Sequence, residues 1–419
     1  MPRPRTADTS AAAATVAALI TVIALVVSGG RAGAQATEPP ERVLGDLAFP
    51  TNLAFAPDGT LFFTEKDTGR IRVMMPGGAL QPEPFATLDV ALVANETGLL
   101  GLALHPDFDR EPWVYAYYSD AATVRNVLVR IRSGAEAGDV VGGEIERLGT
   151  FLPATAGYHN GGDMVFGIDG MLYLAVGEAH EPARAQDPED PGGSILRLTP
   201  EGAPAPGNPF GADTPAYTIG HRNSFGVCVD PASGTVWMTE NGPGVDDEVN
   251  RLEPGGNYGW PEVTGDADDR FADPVLVFTQ PVAPTGCAVW EGSLWFGTYI
   301  TGELFKLDLD GGRPARAYAF GAPVIAMEVA PDGDLYVATS SEIVRFEGTS
   351  PTPSPSPTRT STPGPPTLSP IEPVTLPGAE EPGGPRRAIT IVAAVVLAVA
   401  LVARLIAGRR LRRRGSDGG

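Results

Sequence analysis

Cysteine is almost missing from this chain: Cys228 and Cys287 are the only two in 419 residues. Two thiols cannot make a zinc site, which takes four protein ligands or three and an open position. Both lie inside apolar, strand-like runs. Two states are open to them, a disulfide formed in an oxidising compartment or two buried free thiols. Positive charge is also scarce, with 30 Lys and Arg against 51 Asp and Glu, a formal charge of −21. That balance excludes nucleic acid as a natural partner, because the phosphate backbone needs a basic face. It suits a soluble extracytoplasmic domain and is compatible with cation binding. What is plentiful is glycine and proline, 52 and 42 residues, which favours a turn-rich, all-β protein over a helical one. The 42% hydrophobic content supports a sizeable core, and the length permits two or three domains.

The two ends read as targeting and anchoring segments. Arg3 and Arg5 precede a small, apolar run from about 11 to 27, and Ala34-Gln35-Ala36 follows. This predicts a secretory signal peptide over 1–36, with an uncleaved N-terminal anchor as the alternative. Residues 350–387 are dense in Pro, Ser and Thr; such a segment cannot bury enough apolar surface to fold and predicts an extended stalk. Residues 388–407 are apolar except for Thr390 and Arg404. A run of about 20 residues spans a hydrocarbon core, and Arg404 lies near one end, where it can snorkel. Arg409, Arg410, Arg412, Arg413 and Arg414 follow. The expectation is a single transmembrane helix with a basic cytoplasmic tail at 408–419 and the rest outside, hence a cell-membrane location.

Between the ends, over 37–349, one signal recurs six times: apolar strand, turn, apolar strand. The copies are LAFAPDGTLFFTE (53–65), GLALHPDFDREPWVYAYYS (101–119), 164–178, VCVDPASGTVWMTE (227–240), AVWEGSLWFGT (288–298) and MEVAPDGDLYVAT (327–339). Each hairpin exposes an apolar face it cannot cover alone. Strand repeats of this length stack radially, so the pattern predicts a six-bladed β-propeller, one four-stranded sheet per repeat. A two-sheet sandwich is the competing architecture, and six equivalent hairpins argue against it. Further strand candidates are 70–75, 127–131, 194–198, 304–307 and 343–346.

Three polar stretches stand out from this pattern. The first, YHNGGDMVFGIDGMLYLAVGE (158–178), opens on His159 and two glycines that leave room for something to approach the backbone. The second is YTIGHRN (217–223). The third, ENGPGVDDEVNRLEPGGNYGWP (240–261), carries the acidic trio Asp246, Asp247 and Glu248 and a glycine-rich turn. Polar loops on a rigid scaffold commonly carry function, and a propeller brings the loops of all its blades to one axial mouth. Taken alone, the acidic trio reads as a solvated surface loop.

These stretches, with GLLGLALHPDF (98–108), GSILRLTPEG (193–202), NPF (208–210), GHRNSFGVCVDP (220–231) and APDGDLYV (330–337), resemble the glucose/sorbosone dehydrogenase family in sequence and in order, over about 40–350. The resemblance implies a six-bladed propeller that oxidises a hydroxyl of an aldose or related polyol with pyrroloquinoline quinone (PQQ) and Ca²⁺. His159 matches the family's general base; an imidazole suits that task near neutral pH. Glu178 falls where the family usually has an aspartate that orients the base. Arg222 and Asn223 match the pair that contacts the quinone, the arginine stabilising developing charge. Asn241 takes the place of a cofactor-facing side-chain amide. Gly242 and Pro243 match the residues whose carbonyls hold the cofactor's calcium, and Glu248 and Tyr258 the ligands of a second, structural calcium.

The chain departs from the pattern where the family binds the quinone's carboxylates. The lysine position falls on Ile300, and the arginine pair on Pro323 and Ile325. Each charge-assisted hydrogen bond lost there is worth roughly 1.5–3 kcal/mol. Arg313 and Arg316 are the cations nearby in sequence that could compensate. Two functional expectations follow: a membrane-anchored quinoprotein sugar dehydrogenase, or a non-catalytic, calcium-stabilised propeller that displays a sugar- or protein-binding face.

Overall fold

Three of the six hairpins turn on an Asp-Gly pair for a local reason. Gly59, Gly170 and Gly333 adopt φ of +88°, +75° and +96°, a region where a Cβ is strained. The preceding aspartate closes each turn by accepting a backbone N–H through Oδ1: Thr60 at 2.9 Å, Met171 at 3.1 Å and Asp334 at 3.2 Å. The alternating apolar runs on either side then pair as antiparallel strands.

The computed structural model describes residues 39–349, without 137, 267 and 268. The predicted signal peptide, stalk, membrane helix and cytoplasmic tail lie outside the described residues. Among the described residues no helix is long and apolar enough to cross a membrane.

The six hairpins each form the two inner strands of a four-stranded sheet. The innermost strands of blades 1 to 6 are Leu53–Phe55, Leu99–Leu104, Met164–Phe166, Ser224–Val229, Pro284–Trp290 and Val324–Val329. They pack in sequence around an axis, and the first also packs on the last. The chain is thus a six-bladed propeller. The ring is closed by Glu41–Leu44, which pairs with Ile343–Phe346 as the outer strand of blade 6, Glu41 opposite Arg345 and Arg42 opposite Val344. The five further strand candidates are third strands of their blades.

Each sheet has two apolar faces, and each face is buried by a neighbouring blade. Phe62, Ile71 and Val73 of blade 1 meet Val114, Ala116 and Val129 of blade 2. Tyr115 and Tyr117 of blade 2 meet Leu172 and Leu174 of blade 3. Trp295 and Leu304 of blade 5 meet Val337 and Val344 of blade 6. Cys228 and Cys287 are bonded to each other, Cα atoms 5.7 Å apart, and tie the inner strands of blades 4 and 5.

One expectation needs correction and another is made specific. The acidic trio is not a solvated loop: Asp247–Leu252 is the third strand of blade 4, and Asp247 and Glu248 are buried. Backbone donors make this burial tolerable. Asp247 accepts from Gly242 N–H at 2.9 Å and from Val282 and Ala283 N–H at 2.7 Å each. The glycines after His159 do leave room for a close approach, and what approaches is the protein itself. A Cβ on Gly161 would lie 2.5 Å from the Ala175 carbonyl oxygen, and one on Gly162 would lie 2.7 Å from Leu100 Cβ.

Candidate active site

The loops entering blades 2, 3 and 4, and those after the second strands of blades 1, 3 and 4, meet at one end of the axis. His159 lies on the loop entering blade 3, with a left-handed φ of +56°. Non-glycine residues hold this conformation only where their surroundings impose it. Two backbone contacts do so: His159 N–H donates to Glu96 Oε2 at 2.7 Å, and its carbonyl accepts from Ala179 N–H at 3.0 Å. The imidazole stacks on His180, centroids 4.2 Å apart. Its Nδ1 is 2.7 Å from Glu178 Oε1. The carboxylate holds the proton on Nδ1, so the lone pair of the neutral ring sits on Nε2. Nε2 makes no hydrogen bond among the described residues.

Glu178 also reaches the next blade, since its backbone N–H donates to the Arg222 carbonyl at 3.0 Å. His159, Glu178 and Arg222 therefore form one connected unit. Glu96, on the loop entering blade 2, makes a second link. Its Oε2 also accepts from Asn223 Nδ2 at 3.4 Å, and its backbone carbonyl accepts from Asn160 Nδ2 at 2.9 Å. Asn160 in turn accepts from Asn126 Nδ2 at 2.8 Å.

Asn223 and Asn241 line an axial cavity of about 210 Å³. The wall includes Phe49, Leu100, Tyr158, Phe225, Tyr299 and Ile325, and its charged members are Lys66, Glu96 and Asp163. The carboxamide oxygens of Asn223 and Asn241 are buried with no hydrogen-bond partner among the described residues. Asp163 accepts from Asn52 Nδ2 and the N–H groups of Met164 and Val227, yet burial pushes its carboxyl up to about 6.

Arg222 is turned away from this cavity. Its Nη1 donates to the carbonyls of Asn241 at 2.8 Å and Gly242 at 2.9 Å, and its guanidinium lies 5.5 Å from the Trp260 ring. Glu240 holds the neighbouring backbone, accepting Arg222 N–H and lying 3.1 Å from the buried His221 Nδ1. The four residues expected to ligate calcium, Gly242, Pro243, Glu248 and Tyr258, line one small cavity with Arg222, Glu240 and Asp246. Its volume of about 10 Å³ approaches the size of one water. Burial and the facing Glu240 push the Glu248 carboxyl up to about 8. Among the described residues no group of three or more His, Cys, Asp or Glu is placed to hold a metal ion.

The geometry bears on three expected roles. The Tyr258 hydroxyl is engaged within its own blade, donating to Arg251 O at 2.6 Å and accepting from Glu253 N–H at 3.1 Å. Gly242 O is engaged by a guanidinium. Arg316 does not compensate for Ile300, Pro323 and Ile325: it lies on the outer strand of blade 5, paired with Glu303 at 2.8 Å. Sequence reasoning missed Glu96, Lys66 and Asp163. Glu96 and Asp163 carried a usable signal, the first two residues ahead of the GLLG stretch and the second inside the stretch that opens on His159.

A family model described as Glucose / Sorbosone dehydrogenase matches residues 47–345. The aldose sugar dehydrogenase YliI of Escherichia coli is 26% identical over 356 residues, 76% of this chain and 94% of that protein. Quinoprotein glucose dehydrogenase B of Acinetobacter calcoaceticus is 30% identical over 256 residues, 54% of this chain and 53% of that protein. Among solved structures, the PQQ-bound aldose sugar dehydrogenase of Streptomyces coelicolor superposes with a TM-score of 0.67 at 31% identity, covering 74% of this chain and 96% of that one. With the family match spanning nearly the whole propeller, and His159, Glu178 and Arg222 joined at its mouth, this chain belongs to the glucose/sorbosone dehydrogenase family.

Proposed function

We propose that the chain is a PQQ-dependent dehydrogenase of aldoses or related polyols. The observation that carries this is the His159–Glu178 pair, held through Glu96 next to the axial cavity that Glu96, Asn223 and Asn241 line. A wall with two carboxamides and a carboxylate fits a polar ligand with N–H or O–H groups, such as the cofactor's pyrrole or a sugar hydroxyl. Asn223 and Asn241 would help hold the cofactor, which when bound would supply the acceptor for a hydride with its two electrons. His159 takes the hydroxyl proton at Nε2 as C–OH becomes C=O. Glu178 keeps the second ring proton on Nδ1 and stabilises the imidazolium that results. Stacking on His180 and the two backbone contacts hold the ring in position.

Calcium would draw on the oxygens that line the small cavity, the carboxylates of Glu240, Asp246 and Glu248 and the Pro243 carbonyl, the ligand type that Ca²⁺ prefers; as they stand these carboxylates are not grouped to hold a metal ion. Cation binding would relieve the repulsion between Glu240 and Glu248. Gly242 O becomes available only if Arg222 releases it. The bonded cysteines favour an oxidising compartment, which agrees with an anchored, extracytoplasmic enzyme held by residues 388–407.

The test is dye-linked oxidation of a panel of aldoses by the full chain, purified in detergent with Ca²⁺ and PQQ. Turnover in the wild type and its loss in His159→Ala, with an unchanged melting temperature, are expected. Tight PQQ binding without turnover on any aldose or polyol would sink the dehydrogenase reading and leave the non-catalytic propeller.

A further inference from the structure

We propose that Lys66, from blade 1, binds a carboxylate of the cofactor in place of the cations missing from blades 5 and 6; this rests on the quinoprotein reading above. Lys66 directly follows Leu61–Glu65, the second strand of blade 1. In the chain it is more than 200 residues from Ile300, Pro323 and Ile325. Ring closure removes that separation, because the inner strand of blade 1 packs on that of blade 6. Lys66 and Ile325 consequently line the same axial cavity.

The ammonium is placed to receive an anion. Lys66 is 8% exposed, and a buried ammonium is costly unless paired. Its partners fall short. Nζ pairs with Asp67, whose side chain is 57% exposed, so that attraction is shared with water. The Thr97 carbonyl lies at 3.4 Å, and the Phe49 ring centroid at 5.3 Å. An ammonium has three N–H groups to satisfy. Among the described residues lining the cavity, Lys66 is the only cation.

The rest of the wall makes that cation necessary. Glu96 and Asp163 are the other charged lining residues and repel an entering polycarboxylate. Both are partly quenched: Glu96 accepts two N–H donors, and Asp163 accepts three. The blade 5 and 6 side contributes Ala283, Gly286, Tyr299 and Ile325, none of which carries a positive charge. A polycarboxylated aromatic therefore meets one countercharge in this cavity.

Equilibrium titration followed by tryptophan fluorescence, on the detergent-purified full chain, tests this without turnover. The probes are PQQ and its uncharged trimethyl ester; the proteins are wild type, Lys66→Met and Lys66→Arg. Removing one charge-assisted contact should weaken PQQ binding by roughly 10- to 100-fold. Lys66→Arg should restore most of the loss, and the ester should bind wild type and Lys66→Met alike. Equal PQQ affinity in wild type and Lys66→Met overturns the assignment while the quinoprotein reading stands. An equal loss for acid and ester also overturns it, assigning Lys66 to packing. Failure of the wild type to bind PQQ at about 100 µM overturns both.

Discussion

The Arg222 guanidinium donates to the Gly242 carbonyl oxygen at 2.9 Å, so a protein cation occupies an oxygen that the family resemblance assigns to calcium. The same Nη1 serves Asn241 O at 2.8 Å. Arg222 thus fastens the turn after the second strand of blade 4 to the loop entering that blade. Replacing it by methionine leaves two carbonyls without this donor, at a cost of about 1–3 kcal/mol. Arg222→Met should melt several degrees lower than wild type, and added Ca²⁺ should recover part of that deficit by taking the vacated oxygens. Scanning calorimetry with Ca²⁺ and with a chelator checks this; a variant that melts like wild type in chelator would show the contact to be idle.

The Glu178 carboxylate, 2.7 Å from His159 Nδ1, gives the imidazole its direction and its countercharge. Glu178→Gln keeps a polar partner on Nδ1 but removes the charge that stabilises an imidazolium. We expect kcat to fall roughly 100-fold or more, with KM changed only a few-fold, because the contact matters most once the ring has taken a proton. Steady-state kinetics on an aldose decide it. A rise in KM with kcat intact would instead place Glu178 in substrate binding.

A half-buried acid that the chemistry does not use sets a pH dependence of stability. In Glu328, on the inner strand of blade 6, desolvation and Asp163 push the carboxyl from 4.5 up to about 8. The folded state therefore binds a proton that the unfolded chain releases. Its stabilisation is complete below about 4.5 and is lost as pH rises toward about 8. Glu328→Gln, neutral throughout, should match wild type near pH 4.5 and melt a few degrees higher at pH 8.5. Asp163, pushed up to about 6, adds a loss of the same sign at lower pH. Melting curves across this range that ran parallel for the two proteins would contradict the assignment.

The Cys228–Cys287 bond closes 59 residues of chain and links adjacent blades directly. Loop-closure entropy alone predicts about 4 kcal/mol of stabilisation for a loop of this size. The double variant Cys228→Ser, Cys287→Ser should lose a large part of that and unfold at lower denaturant. Since neither cysteine lines the axial cavity, PQQ affinity at low temperature should hardly change. Denaturant titration and PQQ binding on the same samples separate the two effects.

Local pattern was enough for the blades. An apolar run, a turn such as Pro57-Asp58-Gly59 and a second apolar run specify a hairpin whose strands pair within about a dozen residues, and six copies leave few ways to cover twelve apolar faces. The outer strands were harder to read. Ala86–Thr87 is two residues long, and Ala315–Ala319 is mostly exposed, so neither carries strong alternation. Blade 4's third strand was misread because Asp247 and Glu248 open it, and carboxylates at a strand start look like loop until the backbone donors that satisfy them are known.

The residues' own chemistry established the hairpins, the propeller and the kinship that singled out His159, Glu178 and Arg222. Tertiary structure decided what those groups face. It set Glu96 against His159, turned Arg222 onto Gly242, bonded Cys228 to Cys287 and brought Lys66 to the wall that holds Ile325. The reason is geometric. A strand and its turn are specified by neighbours in the chain, whereas the lining of a central axis is specified by which ends of six separate sheets meet there, and that follows only when the first strand closes the last blade.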